Sequence, residues 1–314
     1  MLAPLLMEEA YEVKTASTRP GKLQRLGEML SLVFRNRKTA DYVLIDTYST
    51  QNFWYAVAVG MLCRRLGLKY IPILHGGELP KRLKNSSRVA HQLFQKAYIN
   101  IAPSKYLKAV FESRGIRNTV YIPNSIHIID YPFKHRKQLK PGLLWVRSFA
   151  QVYNPLLALQ VLEILLMKYP DAELCMVGPE KDASMAVCKR MAEKKKLPVR
   201  FTGRLQKQHW IKLAAQFDVF LNTTNVDNTP VSVIEAMALG LPVISTDVGG
   251  MPFLIENETD GLLVSPMDAV KMAGAVDELI SHPQRALQLA AAARKKAESF
   301  DWMKVKPLWL KLLR

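Results

Sequence analysis

Two carboxylates stand eight residues apart in DNTPVSVIEAMALGLPVISTDVGG, residues 227–250: Asp227 on a loop, and Glu235 at the head of a short apolar run that reads as a buried helix. An ionised carboxylate accepts from two neighbouring O–H donors at once, so it suits the vicinal hydroxyls of a sugar. A helix start offers amides without intrahelical acceptors and partial positive charge, which suits phosphate. With Glu235 on the first turn, the stretch therefore has the composition of a nucleotide-sugar site. The sugar is expected at one acid, the ribose at the other, and a diphosphate between them on residues 228 to 234, Asn228, Thr229, Pro230, Val231 and Ser232 among them. Taken singly, Glu235 reads as compensation of a helix dipole and Asp227 as a turn residue. The pair in one frame, closed by Gly249-Gly250, favours the binding reading.

The elements that must hold these residues follow from periodicity. Short β-branched runs alternate with longer amphipathic stretches, the pattern of a parallel α/β sheet. Strands are expected at 11–16, 41–46, 69–74, 98–103 and 119–124, with helices near 22–36, 52–66, 87–97 and 104–113. The charged stretch HRKQLKPG, 135–142, reads as a linker. The pattern then restarts with strands at 142–148, 172–178, 198–204, 219–224, 241–247 and 260–266. This predicts an α/β protein of two doubly wound, Rossmann-like domains, 1–138 and 139–299, followed by a C-terminal helix, 300–314, that packs back toward the first. The opening LAPLLMEEA reads as the tail of a helix, without the central strand and tight glycine loop with which such a domain normally begins. That leaves two readings, a natural start or a chain that has lost its first strand.

Composition narrows the class. Hydrophobic residues make up 49% and charged ones 23% of 314 residues, a globular profile. The longest apolar run, 53–63, is shorter than the roughly 20 residues of a membrane span. Cys63, Cys175 and Cys188 form no metal-binding spacing and read as buried bystanders in a reduced, cytoplasmic protein. The formal charge of +17 is uneven: residues 1–140 hold 23 Lys and Arg against 9 Asp and Glu, a net +14. An anionic partner for that half is expected, and an anionic membrane surface fits the basic, leucine-bearing stretch 22–38. A core-facing helix with a solvated basic face explains the same stretch equally well.

The 227–250 stretch resembles the retaining family-4 glycosyltransferases of the GT-B fold, in which two glutamates are separated by seven residues, the second opens an EAMA-type helix, and a PVIST-like strand leads to a diglycine. NETDGLLVSPMD, 257–268, continues the resemblance. Asp227 is one methylene shorter than the family's first glutamate; Glu235 matches. The resemblance implies a GT-B architecture whose domains face across a cleft. It implies Arg147 as a diphosphate ligand, but the lysine expected five or six residues later is absent, and Tyr153 or Asn154 would substitute hydrogen bonds for its charge. It further implies that Gly178, Pro179 and Arg204 line the nucleotide base, and that His75, in ILHGGELPKR at a strand's C-terminal end, touches the donor sugar. Without that context a lone histidine is more often a structural residue.

The implied reaction moves a sugar, of hexosyl type, from a nucleoside diphosphate sugar to an acceptor hydroxyl with retention, in cell-surface glycan or glycolipid assembly. His75 and Asp227 are its catalytic candidates. The nucleotide sugar is a co-substrate, no metal or other cofactor is required, and the acceptor is a glycan, glycolipid or other anionic molecule. The expected location is cytoplasmic, peripheral on the inner membrane face. The alternatives are a truncated or non-catalytic GT-B protein that binds a nucleotide sugar and, with no recognition motif to support it, a basic nucleic-acid-binding protein. No nucleic acid partner is expected. A nicotinamide oxidoreductase is disfavoured because no GxGxxG follows a strand.

Overall fold

The computed structural model describes residues 2–314, which form two compact units. The first runs to Pro103 and resumes over Leu107–Tyr121; the second takes Ser104–Tyr106 and Ile122–Arg314.

The first unit contains α1 (Leu2–Glu8), α2 (Lys22–Arg35), β1 (Tyr42–Thr47), α3 (Phe53–Arg65), β2 (Lys69–Leu74), α4 (Leu79–Asn85), α5 (Ser87–Gln95), β3 (Asn100–Ala102), α6 (Lys105–Ser113) and β4 (Thr119–Tyr121). Its four strands are parallel and lie in the order β1-β2-β3-β4. All but the first residue of β2 are buried, as its β-branched run requires of a strand covered on both faces. The strand expected at 11–16 does not form. Tyr11, Val13 and Ala16 are only half-buried, and the segment pairs with no strand among the described residues. Next to it, the Glu28 carboxylate of α2 accepts from the amides of Ser17, Thr18 and Arg19 and from the Thr18 hydroxyl, which holds its pKa below the ordinary value. Local hydrogen bonding to a carboxylate takes the place of a ladder there. The basic cluster after His75 forms α4, with Leu79 and Leu83 buried and Arg82 Nε donating to the Ser49 carbonyl at 2.7 Å.

The second unit contains β5 (Gly142–Val146), α7 (Pro155–Leu166), β6 (Glu173–Val177), α8 (Ser184–Lys195), β7 (Val199–Gly203), α9 (Lys207–Ala214), β8 (Val219–Asn222), α10 (Val231–Ala238), β9 (Val243–Thr246), α11 (Met251–Leu254), β10 (Leu262–Val264), α12 (Ala269–Ser281), α13 (Pro283–Ala297) and α14 (Trp302–Leu312). The six parallel strands lie in the order β10-β9-β8-β5-β6-β7, so the strand order reverses between β5 and β8. Successive strand residues alternate between two cores. Leu143, Trp145, Leu174, Met176, Val219 and Leu221 join one with α7 and α12, whereas Leu144, Cys175, Val177 and Phe220 join the other with α10 and α13. Burial on both faces explains why these strands read as unbroken apolar runs.

The boundary between units lies at Tyr121/Ile122 rather than in the charged stretch near 138. Arg136 is the physical reason. It is 4% exposed, and its guanidinium donates to the carbonyls of Ala214, Phe217, Leu239 and Gly240 and to the Asp218 carboxylate. A charge run that reads as solvated linker is thus anchored inside the second unit. Residues 300–314 also belong to that unit: the Ile126 amide donates to Phe300 O at 2.9 Å and the Trp302 amide to Ile126 O at 2.8 Å. Among the described residues no helix is long and apolar enough to cross a membrane.

Two glycines separate backbone necessity from mere tolerance. A Cβ at Gly178, just past β6, would lie 1.7 Å from the Arg147 carbonyl oxygen, whereas a Cβ at Gly274 inside α12 meets nothing within 4 Å. Gly178→Ala is expected to destabilise by about 4 kcal/mol or more, the extreme of single substitutions. Gly274→Ala is expected to stabilise by about 0.5–1 kcal/mol. Chemical denaturation of both variants measures the contrast.

Candidate functional site

The strand-order reversal sets β5 and β8 side by side, and open α/β sheets bind ligands beyond the C-terminal ends of strands at such a point. Arg147 follows β5 directly, and Asp227 lies on the loop after β8. The structure brings them together: Arg147 Nη2 forms an ion pair with Asp227 Oδ2, and the guanidinium carbon lies 4.3 Å from the centre of the Tyr153 ring. Arg147 Nε is buried without a partner. Asp227 Oδ1 accepts from the Asn228 amide at 2.9 Å. The diglycine now has a cause. A Cβ at Gly249 would lie 2.3 Å from the Asp227 carbonyl oxygen and one at Gly250 1.8 Å from that of Asn228, while the Gly250 amide donates to Asp227 O at 3.0 Å. Only glycine allows this approach, which fixes the acid-bearing loop.

Glu235 stands on the second turn of α10, not the first as expected. The helix begins at Val231, with Pro230 as its extended N-cap (φ −67°, ψ 121°). Proline is at home at a helix start because its φ is preset and no amide is needed there. The expected row of phosphate-binding amides shortens accordingly. Pro230 has no N–H, the Asn228 amide serves Asp227, and those of Val233 and Ile234 donate to Pro230 O. Val231 and Ser232 hold the first-turn amides that helix geometry leaves over, and the Ser232 hydroxyl is buried without a partner. Asn228 Oδ1 accepts from the Ser104 hydroxyl, and Thr229 O from Asn124 Nδ2 at 3.2 Å.

Glu235 is 9% exposed. Two residues that motif and spacing did not single out meet it: the Tyr131 hydroxyl donates to Oε1, and Lys207 Nζ lies 3.6 Å from the same oxygen. Burial pushes the Glu235 carboxyl above its ordinary value, while Tyr131 and Lys207 pull the other way. Burial, reinforced by Glu235, drives the Tyr131 phenol upward, so it stays a donor. Tyr131 belongs to the stretch that reads as the end of the first domain, and Lys207 opens α9; neither position carries a local signal.

The remaining expected residues are held by contacts of their own. Asn154 adopts a left-handed conformation (φ 44°, ψ 58°) ahead of α7, with Nδ2 3.5 Å from Asn225 Oδ1. Gly178 packs on the Arg147 backbone, and Pro179 O accepts from the Phe149 amide at 2.9 Å. Arg204 is exposed after β7. His75 lies in the first unit, just past β2, where Nε2 is 2.8 Å from Asp46 Oδ1 and the ring stacks on Tyr48 at 5.4 Å and 27°. The hydrogen bond to His75 holds the Asp46 carboxyl below its usual range. Asp46 and Tyr48 are a second pair missed in the sequence, because they come from the neighbouring strand end. A Cβ at Gly76 would lie 2.5 Å from the Ser49 amide, which shows how closely the two strand ends are pressed together.

The sign of the Glu235 shift yields a stability test. Its native pKa exceeds the ordinary 4.5, so the native state binds the proton more tightly than the unfolded chain. Stability therefore falls as pH rises through the window from 4.5 to the native value, and the full penalty persists above it. Glu235→Gln removes that penalty. The variant is expected to melt above the parent at pH 7–8, with the difference shrinking as pH falls toward 4.5; thermal melts across pH measure it.

The chain is similar to known glycosyl transferases in sequence and in fold. Residues 128–296, more than half of the chain, match the family described as "Glycosyl transferases group 1". A D-inositol 3-phosphate glycosyltransferase of Rhodococcus erythropolis is 45% identical over 69 residues, 22% of this chain and 16% of that protein. A GDP-mannose-dependent monoacylated alpha-(1-6)-phosphatidylinositol monomannoside mannosyltransferase of Corynebacterium glutamicum is 32% identical over 140 residues, 42% of this chain and 36% of that protein. The chain spans less than half the length of these curated relatives. The crystal structure of Anabaena HepE in complex with UDP-glucose superimposes with a TM-score of 0.79 at 18% identity, covering 99% of this chain and 88% of that one. With its two parallel sheets the fold is of the GT-B class, and the chain belongs to the group 1 glycosyl transferases.

Proposed function

We propose that the chain carries a retaining hexosyl transfer of the family-4 type, from a nucleoside diphosphate sugar to an acceptor hydroxyl in glycan or glycolipid assembly. The observation that carries this is Glu235: a buried carboxylate kept beside a helix start at which Ser232 Oγ lacks a partner, in the unit where Arg147 Nε lacks one too. Such unmet groups suit a ligand with a diol and a diphosphate. In this reading Glu235 accepts from the ribose hydroxyls, and Arg147 with the amides of Val231 and Ser232 receives the diphosphate. Asp227 orients Arg147 through their ion pair and faces the sugar, and His75 holds the sugar with Asp46 behind it. Gly178, Pro179, Asn154 and Arg204 frame the nucleotide.

The acceptor oxygen attacks the anomeric carbon from the face the diphosphate leaves, the glycosidic bond to that phosphate breaks, and a departing phosphate oxygen takes the acceptor's proton. Configuration is retained without a covalent sugar–enzyme bond. The protein's contribution is positioning and stabilisation of the leaving charge, and no residue is asked to supply a metal. Because HepE was crystallised with UDP-glucose, UDP-hexoses head the donors to be tried.

The first unit is proposed to receive a lipid-linked or anionic acceptor at the cytoplasmic membrane face. Supporting this are the net +10 of the first unit, with 18 Lys and Arg against 8 Asp and Glu, and the side chains of α2, where Leu23 is 84% and Phe34 51% exposed among Lys22, Arg25 and Arg35.

Donor hydrolysis and transfer against a panel of nucleotide sugars test the reading. Glu235→Ala is expected to weaken nucleotide binding about tenfold or more, as loss of a charged acceptor for two hydroxyls implies, and calorimetry measures it. His75→Ala is expected to lower turnover about 100-fold with less than threefold change in nucleotide affinity; tight binding in the parent without turnover on any donor would favour the non-catalytic alternative. Flotation with anionic vesicles at low salt tests the membrane contact, and absence of binding removes it.

A further inference from the structure

We propose that Tyr131 is the positioning residue that aims the Glu235 carboxylate at the ligand, with Arg294 holding Tyr131 in place and Lys207 closing the set. This rests on the reading of Glu235 as the ribose-binding acid. Tyr131 is 1% exposed, and the only polar atom of its side chain gives its proton to Glu235 Oε1. Lys207 Nζ approaches the same oxygen and lies 4.9 Å from the centre of the Tyr131 ring. The protein's contacts therefore fall on one oxygen. Among the described residues Oε2 receives no hydrogen bond, which leaves it as the acceptor for a pair of vicinal hydroxyls.

The terminal torsion of a glutamate is broad and nearly two-fold, so a buried carboxylate without a fixed donor samples several orientations. Tyr131 removes that freedom, and its own position is fixed on the helix that bears Glu235. Arg294 Nη1 donates at 2.6 Å both to Tyr131 O and to Ala238 O, in the last turn of α10. The separation between the phenol and the second turn of α10 is thereby set by backbone contacts.

The same contact favours the ionised form of the acid. A protonated carboxyl turns one acceptor oxygen into a donor and can no longer serve two hydroxyls. The charged groups around the pair are Lys207 on α9, Arg294 on α13 with its partner Glu298, and Asp130 beside Tyr131. Of these, Lys207 and the Tyr131 hydroxyl act on Glu235 directly, both favouring the charged form against burial. A phenylalanine fills the same space and removes only the donor, which makes Tyr131→Phe a clean probe.

Calorimetric titration of the full chain with UDP, GDP and ADP, from pH 5 to 8.5, tests the assignment. At pH 7.5 Tyr131→Phe is expected to bind the preferred nucleotide about tenfold more weakly, the scale of one hydrogen bond to a charged group. Its affinity should begin to fail at a higher pH than the parent's on acidification, because Glu235 then takes its proton more readily. The parent's preference for that nucleotide over its 2′-deoxy form should narrow in the variant; a role in packing alone would move neither the pH limb nor this ratio. Lys207→Ala, at an exposed side chain that leaves the core untouched, should shift the acid limb in the same direction and serves if Tyr131→Phe does not fold. A folded Tyr131→Phe with parental affinity, pH limb and 2′-deoxy ratio overturns the proposal, as does an unmoved limb in Lys207→Ala. If Glu235→Ala leaves nucleotide affinity unchanged, the ribose assignment itself is what fails, and the two failures are thereby told apart.

Discussion

A carboxylate placed where water barely reaches, that of Glu235, is the constraint around which the second unit is organised. Burying an isolated anion is costly, and a protein ordinarily neutralises such a group or pairs it. Here Glu235 meets a phenol and a lysine on one oxygen, which offset part of the desolvation while a second oxygen stays unclaimed. That arrangement demands a stable helix beneath it. α10 is short, eight residues, and its C-terminal carbonyls are satisfied by two largely buried arginines, Arg136 on Leu239 and Gly240 and Arg294 on Ala238. Cations at a helix C-terminus both satisfy its carbonyls and oppose its dipole. The arginines that make α10 rigid also bind residues 122–140 to the second unit, so the acid and its tyrosine travel as one body.

Topology does the rest of the gathering. Reversal of strand order puts the ends of β5 and β8 next to each other, and glycine permits the close approaches that follow. Gly178 lets the end of β6 press on the Arg147 backbone; Gly249 and Gly250 let the chain after β9 press on residues 227–228. Backbone packing of this kind leaves little room for adjustment, which is why an ion pair between residues eighty positions apart in sequence can hold a defined geometry.

The first unit handles a related problem with fewer means. His75 is oriented from the side by Asp46 and from its face by Tyr48, both supplied by the adjacent strand end, and Arg82 of α4 secures the intervening loop through the Ser49 carbonyl. The cations of α4 that read as a simple basic cluster thus divide their work, Arg82 serving structure while Lys81 and Lys84 stay at the surface.

The sequence by itself determined the fold class and marked residues 227–250 as the candidate site. Short β-branched runs alternating with amphipathic stretches mean a parallel sheet with helices between its strands, a local property that composition and spacing express directly. Residues 11–16 misled because alternation alone cannot show whether a neighbouring strand is available to pair. The charged stretch 135–142 misled because nothing local tells a solvated arginine from one that caps a distant helix. Only the tertiary structure decided that Asp227 would pair with Arg147, that α10 would begin at Val231, and that Tyr131 and Lys207 would meet at one oxygen of Glu235. Each of these depends on which strands lie adjacent and how closely their ends pack, a long-range property that no window of sequence contains.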